Sequence, residues 1–281
     1  MKNRRSNISD SVRKELEFDK VLSLLEGFAK SATNKQRISS LSILHNPKVL
    51  NHYLDCLQEY QYIESDSDFP RFEYINLKEV INYLKIENAV LTEDQFFDVY
   101  NASIWVNSLK HFLNNNDYDT PAILQLIGDL KKNLTLKKRI EKVFTPRRFI
   151  RSQASEILFG IRQDISNKRS QLDKYFQETM SHYAHLGYLD DIRESFADGV
   201  PLLAVSSEYK RKVKGQVRGQ SKTKSITFIE PEKCISLNRE LAHLYEEEKA
   251  EIHIILKILT SDLSAHLEKI EAYFNLIEEV D

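Results

Sequence analysis

The chain has 281 residues with 40 Lys and Arg against 42 Asp and Glu, a formal net charge of −2, so a uniformly basic surface is excluded and any polyanion site has to be local. Seven Gly, six Pro and 29% charged residues point to long helices and not to a sheet-rich fold, and the widely separated Cys56 and Cys234 give neither a disulfide framework nor a metal-ligand spacing. The polar N-terminus lacks the apolar core of a signal peptide and no apolar run approaches the roughly 20 residues that span a bilayer, so a cytoplasmic setting without membrane association is expected.

Residues 1–15 read as a flexible arm. The segment LEFDKVLSLLEGFAKSA then puts Leu16, Val21, Leu24, Leu25 and Phe28 on one helical face, where a compact helical domain is expected to begin. Short amphipathic segments follow, one with Pro47 in its first turn, where the missing N–H costs little. In LTEDQFFDVYNASIWVNSLKHFL, Thr92 and Gln95 have the spacing of a capping box, in which each side chain satisfies the other's free backbone N–H. Trp105, with Phe96, Phe97, Tyr100 and Phe112 around it, reads as core and not as a stacking platform. NNNDYDTP is a turn cluster, and the helical pattern resumes until Thr145-Pro146 interrupts it.

From Ile150 the pattern becomes one long helix. Ile150, Ala154, Ile157, Ile161, Ile165, Leu172, Phe176 and Tyr183 keep close to a 3.5-residue repeat, over roughly 50 Å at ~1.5 Å per residue. A second stripe runs from Leu237 through Leu241, Leu244, Ile252, Ile255 and Leu259 to Ile277, for a helix of roughly 70 Å. Two such stripes about 50 residues apart most simply fold back as an antiparallel pair. Between them, VPLLAVSSEY and SITFIEP are β-branched or aromatic-rich and predict short strands at the tip of the pair. The last turn carries Glu278, Glu279 and Asp281, the wrong sign for a helix C-terminus, and the pattern reads as a fragment of a longer protein.

The tip holds the charge anomaly of the chain. Lys210, Arg211, Lys212, Lys214, Arg218, Lys222 and Lys224 bring seven positive charges with no acid among them. On a protruding hairpin they suit sequence-independent contact with nucleic-acid phosphates. Enzyme signatures are weak by comparison. There is no GxxxxGK[ST] phosphate loop, His182 and His185 have an HxxH spacing without a third metal ligand nearby, and no nucleophile sits beside a base. Neither a catalytic nor a metal-ligating residue is assigned.

The segments LEFDKVLSLLEGFA, AVLTEDQFFDV and above all GQVRGQSKTKSITFIEPEKCISLNREL resemble the N-terminal part of the MutS-two paralogues, the second bacterial branch of the MutS family. The matching residues are Gly215, Val217, Gln220, Ser221, Phe228, Glu230, Pro231, Leu237, Asn238, Glu240 and Leu241. Arg218-Gly219 stand where the family usually has His-Asp, and the basic KTKSI replaces a small Gly-containing run.

The resemblance implies a mainly α fold: a helical core domain over 16–148, a first lever helix over 149–187, a small β clamp over 188–232 and a second lever helix over 233–281. It implies DNA, branched or duplex, as the partner of the basic tip. In the parent protein it implies an ATPase domain holding ATP and magnesium, a homodimer and, in many members, a MutS-related nuclease domain. No cofactor is expected in this chain itself. Some members are associated with ribosomes, so an rRNA-touching or coiled-coil interaction module in ribosome rescue is the alternative reading.

Overall fold

A computed structural model describes residues 10–41, 44, 46–116, 118–128, 133–197 and 199–281, without the side chains of residues 10, 11 and 13. The expected mainly α fold with a small β part is what the chain adopts. Its helices are α1 (Asp10–Glu15), α2 (Phe18–Glu26), α3 (Ala32–Ser39), α4 (Pro47–Glu64), α5 (Lys78–Leu84), α6 (Glu93–Asn115), α7 (Pro121–Ile127), α8 (Thr135–Val143), α9 (Glu156–His185), α10 (Glu232–Ser264) and α11 (Leu267–Val280). The strands are β1 (Leu189–Ala197), β2 (Val200–Ser206), β3 (Gly215–Gln220) and β4 (Ile226–Pro231). Among the described residues no helix is long and apolar enough to cross a membrane. The chain forms two compact units, one reaching Lys142 and resuming at Lys257–Asp281, the other Val143–Leu256.

The first unit is built around α6. Its capping box is present: Gln95 N–H donates to Thr92 Oγ1 at 3.3 Å and Thr92 N–H to Gln95 Oε1 at 3.0 Å. Trp105 is buried against Phe72, ring centroids 5.0 Å apart, and its Nε1–H donates to the Pro70 carbonyl at 3.4 Å, so it is core. Pro47 and Pro121 open α4 and α7, and the Glu59 carboxylate of α4 accepts from the Ala122 and Ile123 amides at 3.1 and 2.8 Å. A carboxylate there meets both the unpaired amides and the positive end of the α7 dipole.

Three expectations need correction in this unit. Residues 1–9, most of the expected arm, lie outside the described residues, and Asp10–Glu15 are helical. The stripe of α2 does not enter the core: only Leu22 is buried, while Leu24 and Phe28 are 70% and 81% exposed. The helix docks through its other side, so its periodicity was real but its direction was not the expected one. Lastly, the long C-terminal helix is two helices. Ser264 Oγ donates back to the Thr260 carbonyl at 3.0 Å and the chain tightens to His266 N–H donating to Leu263 O at 2.8 Å, a competition for backbone acceptors that bends and ends helices.

The acidic end of α11 has local partners. Asp281 carboxylate oxygens accept from the Lys30 and Ser31 amides at 2.8 and 2.9 Å and from Asn34 Nδ2 at 3.0 Å. Glu278 accepts from Tyr74 OH at 2.6 Å and Ser31 Oγ at 3.2 Å, and Glu279 pairs with Arg37 at 3.2 Å. The negative charge that is misplaced for α11 is correctly placed for the N-terminus of α3.

In the second unit α9 starts six residues later than its apolar stripe. Ile150 is bridged to Phe144, and Ser155 caps the helix by accepting from Leu158 N–H at 2.9 Å. At 30 residues α9 is about 45 Å long. Ser155 donates to Glu251 at 2.7 Å, Arg162 pairs with Glu248 at 2.7 Å, and Arg169 donates to Tyr245 OH at 2.5 Å. Rising numbers on α9 meet falling numbers on α10, so the helices are antiparallel, as expected. Phe176, Tyr183, Leu237 and Leu241 pack with Leu203, Val205 and Ile229 of the sheet in one core. The sheet order is β1-β2-β4-β3 with antiparallel neighbours.

Candidate nucleic-acid interface

Strand β2 is central, and Pro201 through Val205 are all buried. Its last residue, Ser206, lies opposite Ile226, whereas β3 begins with Gly215 opposite Pro231, at the other end of β4. Residues 207–214 therefore travel the length of the hairpin before β3 can start. This connection is pinned rather than loose. Val213 is buried in the core, Lys212 N–H donates to Tyr209 O at 2.8 Å, and Lys214 N–H donates to Tyr183 OH at 3.2 Å.

Four of the seven basic residues ride on it: Lys210, Arg211, Lys212 and Lys214, all exposed. Lys222 and Lys224 are exposed on the β3–β4 turn. That turn is held by Ser221, whose Oγ accepts from Ile226 N–H at 3.1 Å and whose carbonyl accepts from Lys224 N–H at 2.9 Å. Ser207 ties turn and connection together, donating from N to Ser225 O at 2.8 Å and from Oγ to Lys224 O at 2.7 Å. Lys214 sits at the opposite end, beside the Gly215–Pro231 pair. None of these six side chains makes an ion pair with an acid among the described residues.

Arg218 is different. Its Nε and Nη2 lie 2.7 and 2.5 Å from Glu230 Oε2, and the Glu230 side chain is only 1% exposed. The second oxygen, Oε1, accepts from Asn238 Nδ2 of α10 at 2.6 Å. The guanidinium thus compensates a buried carboxylate, and the other six expected phosphate-contact residues have no acidic partner among the described residues.

The motif residues carry the resemblance through structure. Gly215 runs so close to β4 that a Cβ there would lie 2.1 Å from the Glu230 carbonyl oxygen and 2.8 Å from Ile229 Cγ2. Gln220 donates to Thr227 Oγ1 at 3.4 Å, Phe228 lies opposite Gly219, and Pro231 closes β4 directly before α10. Together they build the hairpin and tie it to α10. Burial, with Glu230 nearby, pushes the Cys234 thiol up to about 11, far from thiolate chemistry near neutral pH. His182 packs edge-on against Tyr183, 5.1 Å between centroids, and no cluster of three potential metal ligands occurs among the described residues.

Sequence reasoning passed over a feature of the connection. Tyr183, Tyr188 and Tyr209 form a ladder of nearly parallel rings, with centroids 6.2 and 4.7 Å apart and interplanar angles of 25° and 19°. The Lys212 ammonium lies 5.4 Å from the centroids of both Tyr188 and Tyr209. The only linear signal was an aromatic residue abutting the basic run in SEYKRK.

No family model matches the chain. It is similar to Endonuclease MutS2 of Aquifex aeolicus, 22% identical over 267 residues, which is 95% of this chain and 35% of the relative. Endonuclease MutS2 of Clostridium botulinum (strain Alaska E43) is 26% identical over 269 residues, 95% of this chain and 34% of the relative. The protein of that name from Clostridium perfringens (strain SM101) is 26% identical over 279 residues, 98% and 35% respectively. The resemblance to the MutS-two branch therefore extends along nearly the whole chain, which spans about a third of the length of these curated relatives.

Proposed function

We propose that this chain, a relative of the MutS2 proteins over nearly all its length, contacts nucleic-acid phosphates through the β2–β3 connection and the β3–β4 turn, without reading sequence. The observation that carries this is the set of six exposed cations, Lys210, Arg211, Lys212, Lys214, Lys222 and Lys224, on backbone pinned by the core and by Ser207. Such groups neutralise phosphates and release counterions, so affinity falls steeply with salt. Branched or duplex DNA is the proposed partner, as the family resemblance implies, and the relatives' name, Endonuclease MutS2, fits a nucleic-acid ligand. The α9–α10 pair is proposed as a lever and the sheet as a clamp. In a longer parent the resemblance adds an ATPase with ATP and magnesium, a homodimer and an endonuclease activity.

Binding of duplex and four-way-junction DNA across salt tests the reading, comparing wild type with a Lys210, Arg211, Lys212, Lys214 quadruple alanine variant. The log–log salt slope is expected to shrink by up to about 4, since each phosphate contact contributes ~0.9. Unchanged affinity and slope would overturn it.

A second reading, a rod that binds protein or ribosomal partners, draws support from Ile157 of α9 and Ile254 of α10, large apolar side chains left exposed on the helical pair. Co-sedimentation with ribosomes in place of junction binding would favour it.

A further inference from the structure

The tyrosine ladder has a buried end and an outer end. Tyr183 is 9% exposed in the core, Tyr188 and Tyr209 are half-buried, and among the described residues no further ring continues the stack beyond Tyr209. The equal 5.4 Å distances put the Lys212 ammonium on the plane bisecting the Tyr188–Tyr209 pair, beside the stack and not across its end. Tyr209, the last ring, is followed directly in the chain by Lys210, Arg211 and Lys212, all exposed.

We infer that the outer face of Tyr209 is a stacking platform for an unpaired nucleobase, whose flanking phosphates are neutralised by Lys210, Arg211 and Lys212. The inference rests on the phosphate-contact reading and narrows its ligand to nucleic acid with at least one base out of the helix. Aromatic side chains accept any base, because every base has a π face, and grooves that combine stacking with cations bind single strands without reading sequence. In an intact duplex both faces of each internal base are already stacked, so Tyr209 adds nothing there. Its place on a pinned 3-10 turn, Ser207–Tyr209, fixes the ring before the ligand arrives.

The test titrates the chain with oligothymidylate, oligouridylate and a duplex of equal length. Tyr209→Phe, Tyr209→Leu and the Lys210, Arg211, Lys212 triple alanine variant are compared with wild type. Tyr209→Leu is expected to lose about tenfold in single-strand affinity and little in duplex affinity, while Tyr209→Phe binds like wild type. A 2-aminopurine inside the oligonucleotide is expected to be quenched by wild type and Tyr209→Phe but not by Tyr209→Leu. Equal losses with the thymidine and uridine strands identify a ligand class common to DNA and RNA; a loss with one alone identifies that source. If Tyr209→Leu keeps its single-strand affinity and quenching while the triple variant loses affinity for all three ligands, stacking is overturned and phosphate contact stands. If the triple variant also binds like wild type, both fall.

Discussion

Arg218 and Glu230 form an ion pair across the two strands of the β3–β4 hairpin in which the carboxylate is buried and the guanidinium, 43% exposed, reaches solvent. The pair is completed by Asn238 on α10, so a strand, its neighbour and a helix meet at one carboxylate.

Removing Arg218 leaves that carboxylate without its cation. Arg218→Ala is expected to destabilise the second unit by about 1.5–3 kcal/mol, less than the loss for a fully buried pair because the guanidinium is partly solvated. Urea denaturation checks the magnitude. The same variant is expected to leave the salt slope of nucleic-acid binding nearly unchanged, in contrast to Lys222→Ala, which reduces the slope with no measurable loss of stability.

Gly215 and Gly219 lie in the same strand and make opposite predictions. Gly215→Ala drives a methyl group into the Glu230 backbone, so about 1–3 kcal/mol is lost and amide exchange accelerates in β3 and β4. At Gly219 the nearest atom to a new Cβ is Phe228 Cδ2 at 4.0 Å, and Gly219→Ala is expected to be neutral within about 0.5 kcal/mol.

Asp281 titrates with a stability consequence. Burial raises its pKa, but hydrogen bonds from the Ser31 and Lys30 amides and from Asn34 outweigh burial, and the net shift is downward. A depressed carboxylate contributes stability that is complete above the unfolded value near ~3.9 and is lost as pH falls through the folded value. The pH dependence of unfolding should therefore steepen below about pH 4 in wild type and less so in Asp281→Ala. That variant is expected to lose about 1 kcal/mol at neutral pH, as a lost helix cap does, with faster amide exchange at the start of α3.

The two sides of α2 can be told apart by substitution. Leu22→Ala is expected to cost about 2–4 kcal/mol as a core truncation, whereas Leu24→Ser with Phe28→Ser leaves stability within about 0.5 kcal/mol. The double variant should also bind less of a hydrophobic dye, since it removes exposed apolar surface.

This contrast marks what was legible in the sequence. Periodicity reports that a helix has an apolar face but not what covers that face, so α6 was read correctly and α9 from Ile161 onward, while Ile150 precedes the helix, Ile157 is exposed, and the stripe of α2 was assigned to a core it does not enter. The stripe from Leu237 to Ile277 hid its interruption because Leu263 and Ile270, on either side of the break, are seven residues apart and stay in phase. Strands β2 and β4 and the antiparallel pair followed from β-branched runs between two stripes, whereas β1 and β3, LDDIRESFA and GQVRGQ, carry too few apolar residues to announce themselves as strands. Arg218 looked like its neighbours because a charge run does not reveal an acid twelve residues away that strand pairing brings alongside. The tyrosine ladder joins residues from α9, the α9–β1 turn and the β2–β3 connection, an adjacency that only the folded sheet creates.

The return path of residues 207–214 along the hairpin has a thermodynamic meaning for association. A flexible lysine-rich loop must surrender backbone freedom when it settles on a ligand, at ~1–2 kcal/mol per residue fixed. Here Val213, the Lys214 amide and the two Ser207 hydrogen bonds fix the backbone in the folded chain already. What is left to order is lysine and arginine side-chain rotation, at ~0.5–1.5 kcal/mol for each side chain immobilised. An incoming polyanion thus meets a charge constellation whose spacing is set by the hydrophobic core of the second unit, so a mutation that loosens that core should weaken binding without touching a single cation.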